Sequence, residues 1–205
     1  MIAVGSRTDL SPQLIASMHE FRKEIFINRM GWSLPLVDGV ERDSYDNEDA
    51  VYFTVQDFDD CMTACARLLP TTRPYMLADL FPQLVSNTPV PHDPTVWELG
   101  RFATDVRKTG AGRVLSLSQP TLDLLEAIMT YSRRHGVRQL VLVTAVAIER
   151  LLLRAGFHMH RLGAPERNET GLMVACVIEV TPESEAEMFD AASCVVAAAS
   201  TTQVQ

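Results

Sequence analysis

The stretch Trp97-Glu98-Leu99-Gly100-Arg101-Phe102-Ala103 sets an acid and a base three residues apart inside an apolar run. With Val96 and Thr104 at its flanks, the run has the β-prone character of a strand. Residues i and i+3 of a strand point to opposite faces. Glu98 and Arg101 are therefore expected to point apart, unless a bulge or a frayed end intervenes. A buried charge is costly unless paired. Each of the two must then find its own partner, or the strand must lie at a sheet edge with its charges in water.

A chain of 205 residues suits one medium domain with a real core. Hydrophobic residues make up 47% and charged residues 21%, ordinary for a soluble globular protein. No apolar run reaches the ~20 residues that a membrane helix needs, so no membrane partner is expected. The N-terminus, Met1-Ile2-Ala3-Val4-Gly5-Ser6-Arg7, lacks the layout of a secretory signal, and the expected compartment is the cytoplasm. Cys61, Cys65, Cys176 and Cys194 show no CxxC spacing; Cys61 and Cys65 are expected on one strand face, as small core residues in a reducing compartment. His158 and His160 share a strand face in this reading, but no third ligand lies nearby and no metal is expected.

The net charge of −8 argues against nucleic acid as a partner. Acids crowd Asp38 to Asp60 and the tail from Glu183 to Asp190. From Arg133 to Arg161 the chain instead carries Arg133, Arg134, Arg138, Arg150, Arg154 and Arg161 against Glu149 alone. That basic face suits an acidic partner or a phosphate-bearing substrate; equally, its arginines could simply solvate their helices.

Ser11-Pro12 supplies a cap and a first-turn proline, and Leu14, Ile15, Met18, Phe21, Ile25 and Phe26 recur at helical spacing, which predicts a helix over 12–29 ended by Gly31. Residues 32–50 read as irregular. Val51–Val55 and Met62–Leu69 read as an antiparallel hairpin. Prolines punctuate a long connection with a short helix near Leu77–Phe81. After the Glu98 strand come a glycine turn at 110–112, a helix over about 118–135, a strand at 139–144, a helix over 147–155 and a last strand at 172–178. The expected organisation is one α/β domain over 1–181 with a mixed, mostly antiparallel sheet, then a tail over 182–205, disordered or partly helical.

Arg107-Lys108-Thr109-Gly110-Ala111-Gly112, between a strand and a helix, resembles the Arg-x-x-Gly-x-Gly pyrophosphate loop of the GNAT acetyltransferases. A wider set of residues includes Phe21-Arg22-Lys23-Glu24-Ile25-Phe26, Gly31-Trp32, Glu41-Arg42-Asp43-Ser44-Tyr45-Asp46, the run from Ala66 through Arg67 to Leu77, and the Glu98 strand. In order and separation this set resembles the acyl-homoserine lactone synthases, the autoinducer synthases of bacterial quorum sensing, over roughly residues 15–180.

The resemblance implies a GNAT-like α/β/α sandwich that joins two substrates. A fatty acyl thioester on acyl carrier protein, or in some members on coenzyme A, acylates the amine of S-adenosylmethionine. Its carboxylate then closes a lactone and releases methylthioadenosine. S-adenosylmethionine is a substrate, and no cofactor is implied. The family's charged set carries over at Arg22, Asp43, Asp46, Arg67, Glu98 and Arg101, and its aromatic set at Phe26, Trp32 and Phe81, with Phe102 extending the lining. Glu98, Arg101 and Arg67 are the implied catalytic group; the motif offers no histidine, which leaves Glu98 as the candidate base. Asp43 and Asp46 are expected to hold Arg22 and Arg101. Met76, Thr144, Ile148, Leu152 and Met173 are expected to line the acyl pocket, and Arg150 and Arg154 to dock acyl carrier protein. Many members have serine where this chain has Gly100. The competing readings are a GNAT-like N-acyltransferase that uses acyl-coenzyme A and another amine, and a non-catalytic protein that binds an acidic partner.

Overall fold

The structure is a computed structural model that describes residues 1–86, 88–105, 118–168 and 170–181. The 107–112 loop, Cys194 and the tail from 182 lie outside the described residues. Strand β1 (Ile2–Gly5) precedes helix α1 (Pro12–Arg22), whose cap is Ser11: its hydroxyl accepts the Leu14 N–H at 3.2 Å. The single helix expected over 12–29 is two pieces, because the chain widens to a π-helix over Lys23–Arg29. The Met30 N–H reaches the Ile25 carbonyl, five residues back, at 3.0 Å. Hydrophobic spacing does not distinguish so local a change of pitch.

Residues 32–50 are not wholly irregular. Strands β2 (Leu36–Val37) and β3 (Val40–Glu41) pair across Asp38 and Gly39, both at positive φ, 52° and 81°. That is the backbone of a tight hairpin turn. Strands β4 (Val51–Gln56) and β5 (Met62–Pro70) form the expected antiparallel hairpin. Cys61 corrects the expectation made for it: β5 starts one residue later, and Cys61 is exposed in the turn. Cys65 and Cys176 are buried, and burial pushes their thiols up to about 12.

Helix α2 (Met76–Leu80) leads to strand β6 (Val96–Thr104). Helix α3 (Gln119–Arg134), strand β7 (Gln139–Ala145) and helix α4 (Val146–Arg154) follow. Strands β8 (Met159–Arg161), β9 (Glu166–Asn168) and β10 (Gly171–Glu179) end the described chain. Only His160 of the two histidines lies in β8; both are exposed. Among the described residues no cluster of histidine, cysteine and carboxylate side chains could hold a metal, and no helix is long and apolar enough to cross a membrane.

The sheet runs β1-β4-β5-β6-β7-β10-β8, with β9 also paired to β10, and the β6–β7 pair is parallel while the others are antiparallel. One face packs on α3 and α4 through Leu124, Ile128, Leu140 and Leu152. The other packs on α1, the π-helix and α2 through Met18, Phe26, Leu77 and Val141. This is the expected α/β/α sandwich.

Two features of β6 position the site. Its parallel pairing with β7 ends at Glu98 opposite Val141, although both strands continue, so the sheet splays open beyond Glu98. On its other side, Arg67 pairs with Gly100 and Cys65 with Ala103, leaving Arg101 and Phe102 together opposite Ala66. This is a bulge, with Arg101 at φ 49°.

Candidate active site

The bulge reverses the simple alternation of β6. Glu98 and Arg101 reach the same face, toward α1 and α2, while Phe102 turns to the α3 face and packs against that core. Phe102 therefore does not extend the aromatic lining around Arg101. A left-handed backbone at a non-glycine residue costs about 1–3 kcal/mol and persists only where the surroundings hold it.

Those surroundings are a buried ion-pair cluster. The Arg22 guanidinium donates to Asp46 through both Nη atoms, at 2.7 and 3.0 Å, and through Nε to Glu41 at 2.5 Å. Arg67 donates from Nη1 to Asp43 at 2.6 Å and to Asp46 at 2.8 Å. Arg101 donates from Nε to Glu41 at 3.1 Å and lies 2.6 Å from Asp43 through Nη2. The side chains of Arg22 and Arg67 are 1% exposed and that of Glu41 0%, so removing any one charge would strand its partners in a dry site. Of the two aspartates expected to hold Arg22 and Arg101, Asp46 holds Arg22 and shares Arg67, while Asp43 holds Arg101 and Arg67 and lies 3.9 Å from Arg22.

Burial alone would raise the Asp46 carboxyl, but Arg22 and Arg67 pull it well below the usual carboxylate range. Burial lowers the Arg101 guanidinium, against the opposing pull of Asp43 and Glu41. Glu41 is the member that sequence reasoning did not assign. A signal was available, since Glu41 and Asp43 stand two residues apart at the end of β3. His19, also unassigned, lies buried one turn before Arg22 and donates from Nδ1 to the Glu41 carbonyl, 2.9 Å away. Burial and the neighbouring Arg22 lower its pKa.

Glu98, 2% exposed, sits at the start of α2. Its two carboxylate oxygens accept the Met76 and Leu77 backbone N–H groups at 2.9 and 2.6 Å. Burial raises its pKa, and these hydrogen bonds together with Arg67 and Arg101 oppose that rise only in part. Gly100, between Glu98 and Arg101, faces open space: a Cβ added there would meet nothing within 4 Å.

The π-helix presents Phe26, whose ring stacks on Trp32 at 5.1 Å and 9°. The Arg101 guanidinium lies 6.0 Å over Phe26. Phe81, at the end of α2, is half-buried against the same core. An open cleft of ≈ 550 Å³, lined by Pro35, Val37, Arg42, Asp43, Ser44 and Asp46, gives access to the carboxylate side of the cluster.

The five residues expected to line an acyl pocket do not share a face. Met173 packs on the α1 side with Met76, whose sulfur meets Arg67 and Arg101 at 3.4 Å each. Leu152 lies in the core beneath α3, and Thr144, opposite Val174, points to that side. Ile148 is 46% exposed on α4. The sheet, which the sequence pattern could not place between them, separates the two groups. Arg150 and Arg154 are exposed on α4. Arg161 is committed instead to Glu149, at 2.6 and 2.7 Å.

The autoinducer synthase family profile matches residues 6–188. An acyl-homoserine-lactone synthase of Acinetobacter nosocomialis is 36% identical over 181 residues, which are 87% of this chain and 99% of that protein. The crystal structure of the acyl-homoserine lactone synthase LasI superposes with a TM-score of 0.81 at 32% identity, over 93% of this chain and 94% of that one. The coenzyme A-dependent synthase BjaI, solved with S-adenosylmethionine and isopentyl-coenzyme A, gives a TM-score of 0.82 at 27% identity, over 94% and 89%. With agreement of this extent in sequence and in fold, the chain belongs to the acyl-homoserine-lactone synthases, the autoinducer synthase family, and is an acyl-transferring enzyme.

Proposed function

We propose that the buried cluster and the splay beside Glu98 form the S-adenosylmethionine site of an acyl-homoserine lactone synthase acting in the cytoplasm. Residues 1–181 would be the catalytic domain. The observation that carries this reading is the convergence of Arg67, Arg101 and Glu98 on one end of α2, beside the Phe26–Trp32 stack. A sulfonium is attracted to an aromatic face by about 0.5–2 kcal/mol. Trp32 and Phe26 supply such faces, and Phe81 adds a third aromatic wall. Arg22, Asp43, Asp46 and Glu41 keep the two functional arginines charged and oriented.

Acyl transfer needs a neutral amine. Glu98 takes the ammonium proton, directly or through water, and its raised pKa makes it a better base than an ordinary glutamate. The freed nitrogen attacks the thioester carbonyl; a C–N bond forms, the C–S bond breaks, and the leaving thiolate takes a proton. The substrate carboxylate then attacks the carbon bound to the sulfonium. A C–O bond closes the lactone as the C–S bond breaks, and methylthioadenosine leaves as a neutral thioether.

The donor in this reading is a fatty acyl group on acyl carrier protein, an acidic partner suited to exposed Arg150 and Arg154; acyl-coenzyme A is the second candidate donor. On the α3–α4 side Thr144 and Leu152, and on the other Met173, border the routes open to the acyl chain, with Ile148 at the surface. The test is methylthioadenosine release from S-adenosylmethionine across a panel of carrier-protein and coenzyme A thioesters, with products read by mass spectrometry. Donor-dependent release with an acyl-homoserine lactone is expected. Thiol release without methylthioadenosine would mean another amine acceptor.

A further inference from the structure

The three arginines of the cluster differ in how well their N–H groups are used. Arg22 gives Nε and both Nη atoms to carboxylates. Arg67 and Arg101 do not. The buried Arg67 Nε has no acceptor among the described residues. Arg67 Nη2 divides itself between Asp43 at 3.2 Å and the thioether of Met76 at 3.4 Å. Arg101 Nη1 points to that same sulfur, also at 3.4 Å. Two guanidinium groups thus converge on one of the weakest acceptors a protein carries. A charge-assisted bond to a carboxylate oxygen would be shorter and roughly twice as strong as a neutral one.

We propose that the Met76 sulfur occupies the position of a substrate carboxylate oxygen, and that Met76 is a specificity-determining residue displaced by the α-carboxylate of S-adenosylmethionine. Met76 is suited to moving aside. It is half-buried, at the first position of the short helix α2, with three rotatable side-chain bonds. Its backbone N–H stays on Glu98 while the side chain swings, so displacement leaves the base in place. The incoming carboxylate would not make the cluster more anionic overall, because its own ammonium and sulfonium accompany it. The methionine also gives one nitrogen of each buried guanidinium, Arg67 Nη2 and Arg101 Nη1, an acceptor when the site is empty. This inference rests on the function proposed above and names the point at which that substrate is recognised.

The test compares two substitutions with opposite expected effects. Met76→Leu keeps the volume but offers no acceptor, so the empty site is less satisfied and binding relieves more. Met76→Gln places an amide oxygen within reach of the arginines and competes with the substrate. By calorimetric titration, Met76→Leu is expected to lower the Kd for S-adenosylmethionine by about fivefold, the scale of one hydrogen bond. Met76→Gln is expected to raise it by a similar factor. Both variants should leave the Kd for decarboxylated S-adenosylmethionine within about twofold of wild type. Shifts of the same sign, or equal shifts for the two ligands, would overturn the assignment. So would a change confined to the acyl-chain preference of the donor, which would make Met76 a tunnel wall only. Wild-type protein that makes lactone but gives this negative pattern would lose the Met76 assignment alone; wild-type protein that fails to bind S-adenosylmethionine would lose both.

Discussion

Asp46 and Glu98 are both buried carboxylates, and their surroundings drive them in opposite directions. Asp46 is held low by Arg22 and Arg67, so its ionised form stabilises the folded state above the ordinary aspartate value of 3.8. That contribution disappears as pH falls below 3.8 and approaches the folded-state value. Asp46→Asn is expected to cost about 3–5 kcal/mol near neutrality, because it leaves Arg22 short of a charge. Urea unfolding should also show the variant losing less stability than wild type between pH 4 and pH 2, a window set by the lowered Asp46 value. For Glu98 the sign reverses. Its folded pKa lies above 4.5, so the ionised form costs stability, and stability falls as pH rises from 4.5 through the raised value. With Glu98 as the base, the same shift places the acid limb of the kcat/KM profile above 4.5. Glu98→Gln should remove that limb and lower turnover by about 10²–10⁴-fold. Because an amide NH2 would face one of the two backbone N–H groups now held by the carboxylate, unfolding should report a loss of about 1–3 kcal/mol as well. Full turnover in this variant would remove Glu98 from the role of base.

At the scale of elements, the charged residues other than Glu41 were legible in the sequence, and the backbone devices that bring them together were not. The acid and base of β6 read correctly as a strand, but the bulge depends on pairing with β5, and no property of residues 97–103 alone requires it. The π-helix is similar: its apolar positions fit an ordinary helix, and their spacing does not reveal the altered pitch. Arg29 shows how the π-helix is fastened. It pairs with Asp105, just past the end of β6, at 2.7 and 3.3 Å and with Glu24 at 2.9 Å. The clamp thus joins the element carrying Phe26 to the strand carrying Glu98 and Arg101. Arg29→Ala is expected to cost about 1–3 kcal/mol of stability, since it removes two hydrogen bonds from the buried Asp105 carboxylate. Its larger effect should be a raised KM for S-adenosylmethionine, with the donor KM little changed. An equal rise in both would show that the clamp does not act on the aromatic stack.

For the whole molecule, the sheet divides the chemistry. The ion-pair cluster and Glu98 lie on the α1–α2 side, whereas exposed Arg150 and Arg154 belong to α4 on the other side. The sequence showed the basic stretch but not how much of it is already neutralised, and Arg161 proves to be spent on Glu149. Arg150 and Arg154, one helical turn apart, remain available as solvent-facing charges. A large acidic carrier would sense them across a wide, salt-sensitive interface, whereas a small donor entering the splay between β6 and β7 need not touch them. Arg150→Glu combined with Arg154→Glu should therefore raise the KM for an acyl carrier protein donor by at least about tenfold, the order of a few surface charge contacts. The KM for the matching coenzyme A thioester should change far less. Added salt should weaken the wild-type interaction with the carrier and narrow the gap between wild type and variant. Thermal unfolding should change little, because the hydrogen bonds of buried Glu149 come from Arg161, and Arg150 adds only a longer-range charge interaction to it. Equal KM changes for both donors would place the arginines at a shared donor entrance instead, and no change for either would return them to the role of solvated surface charge.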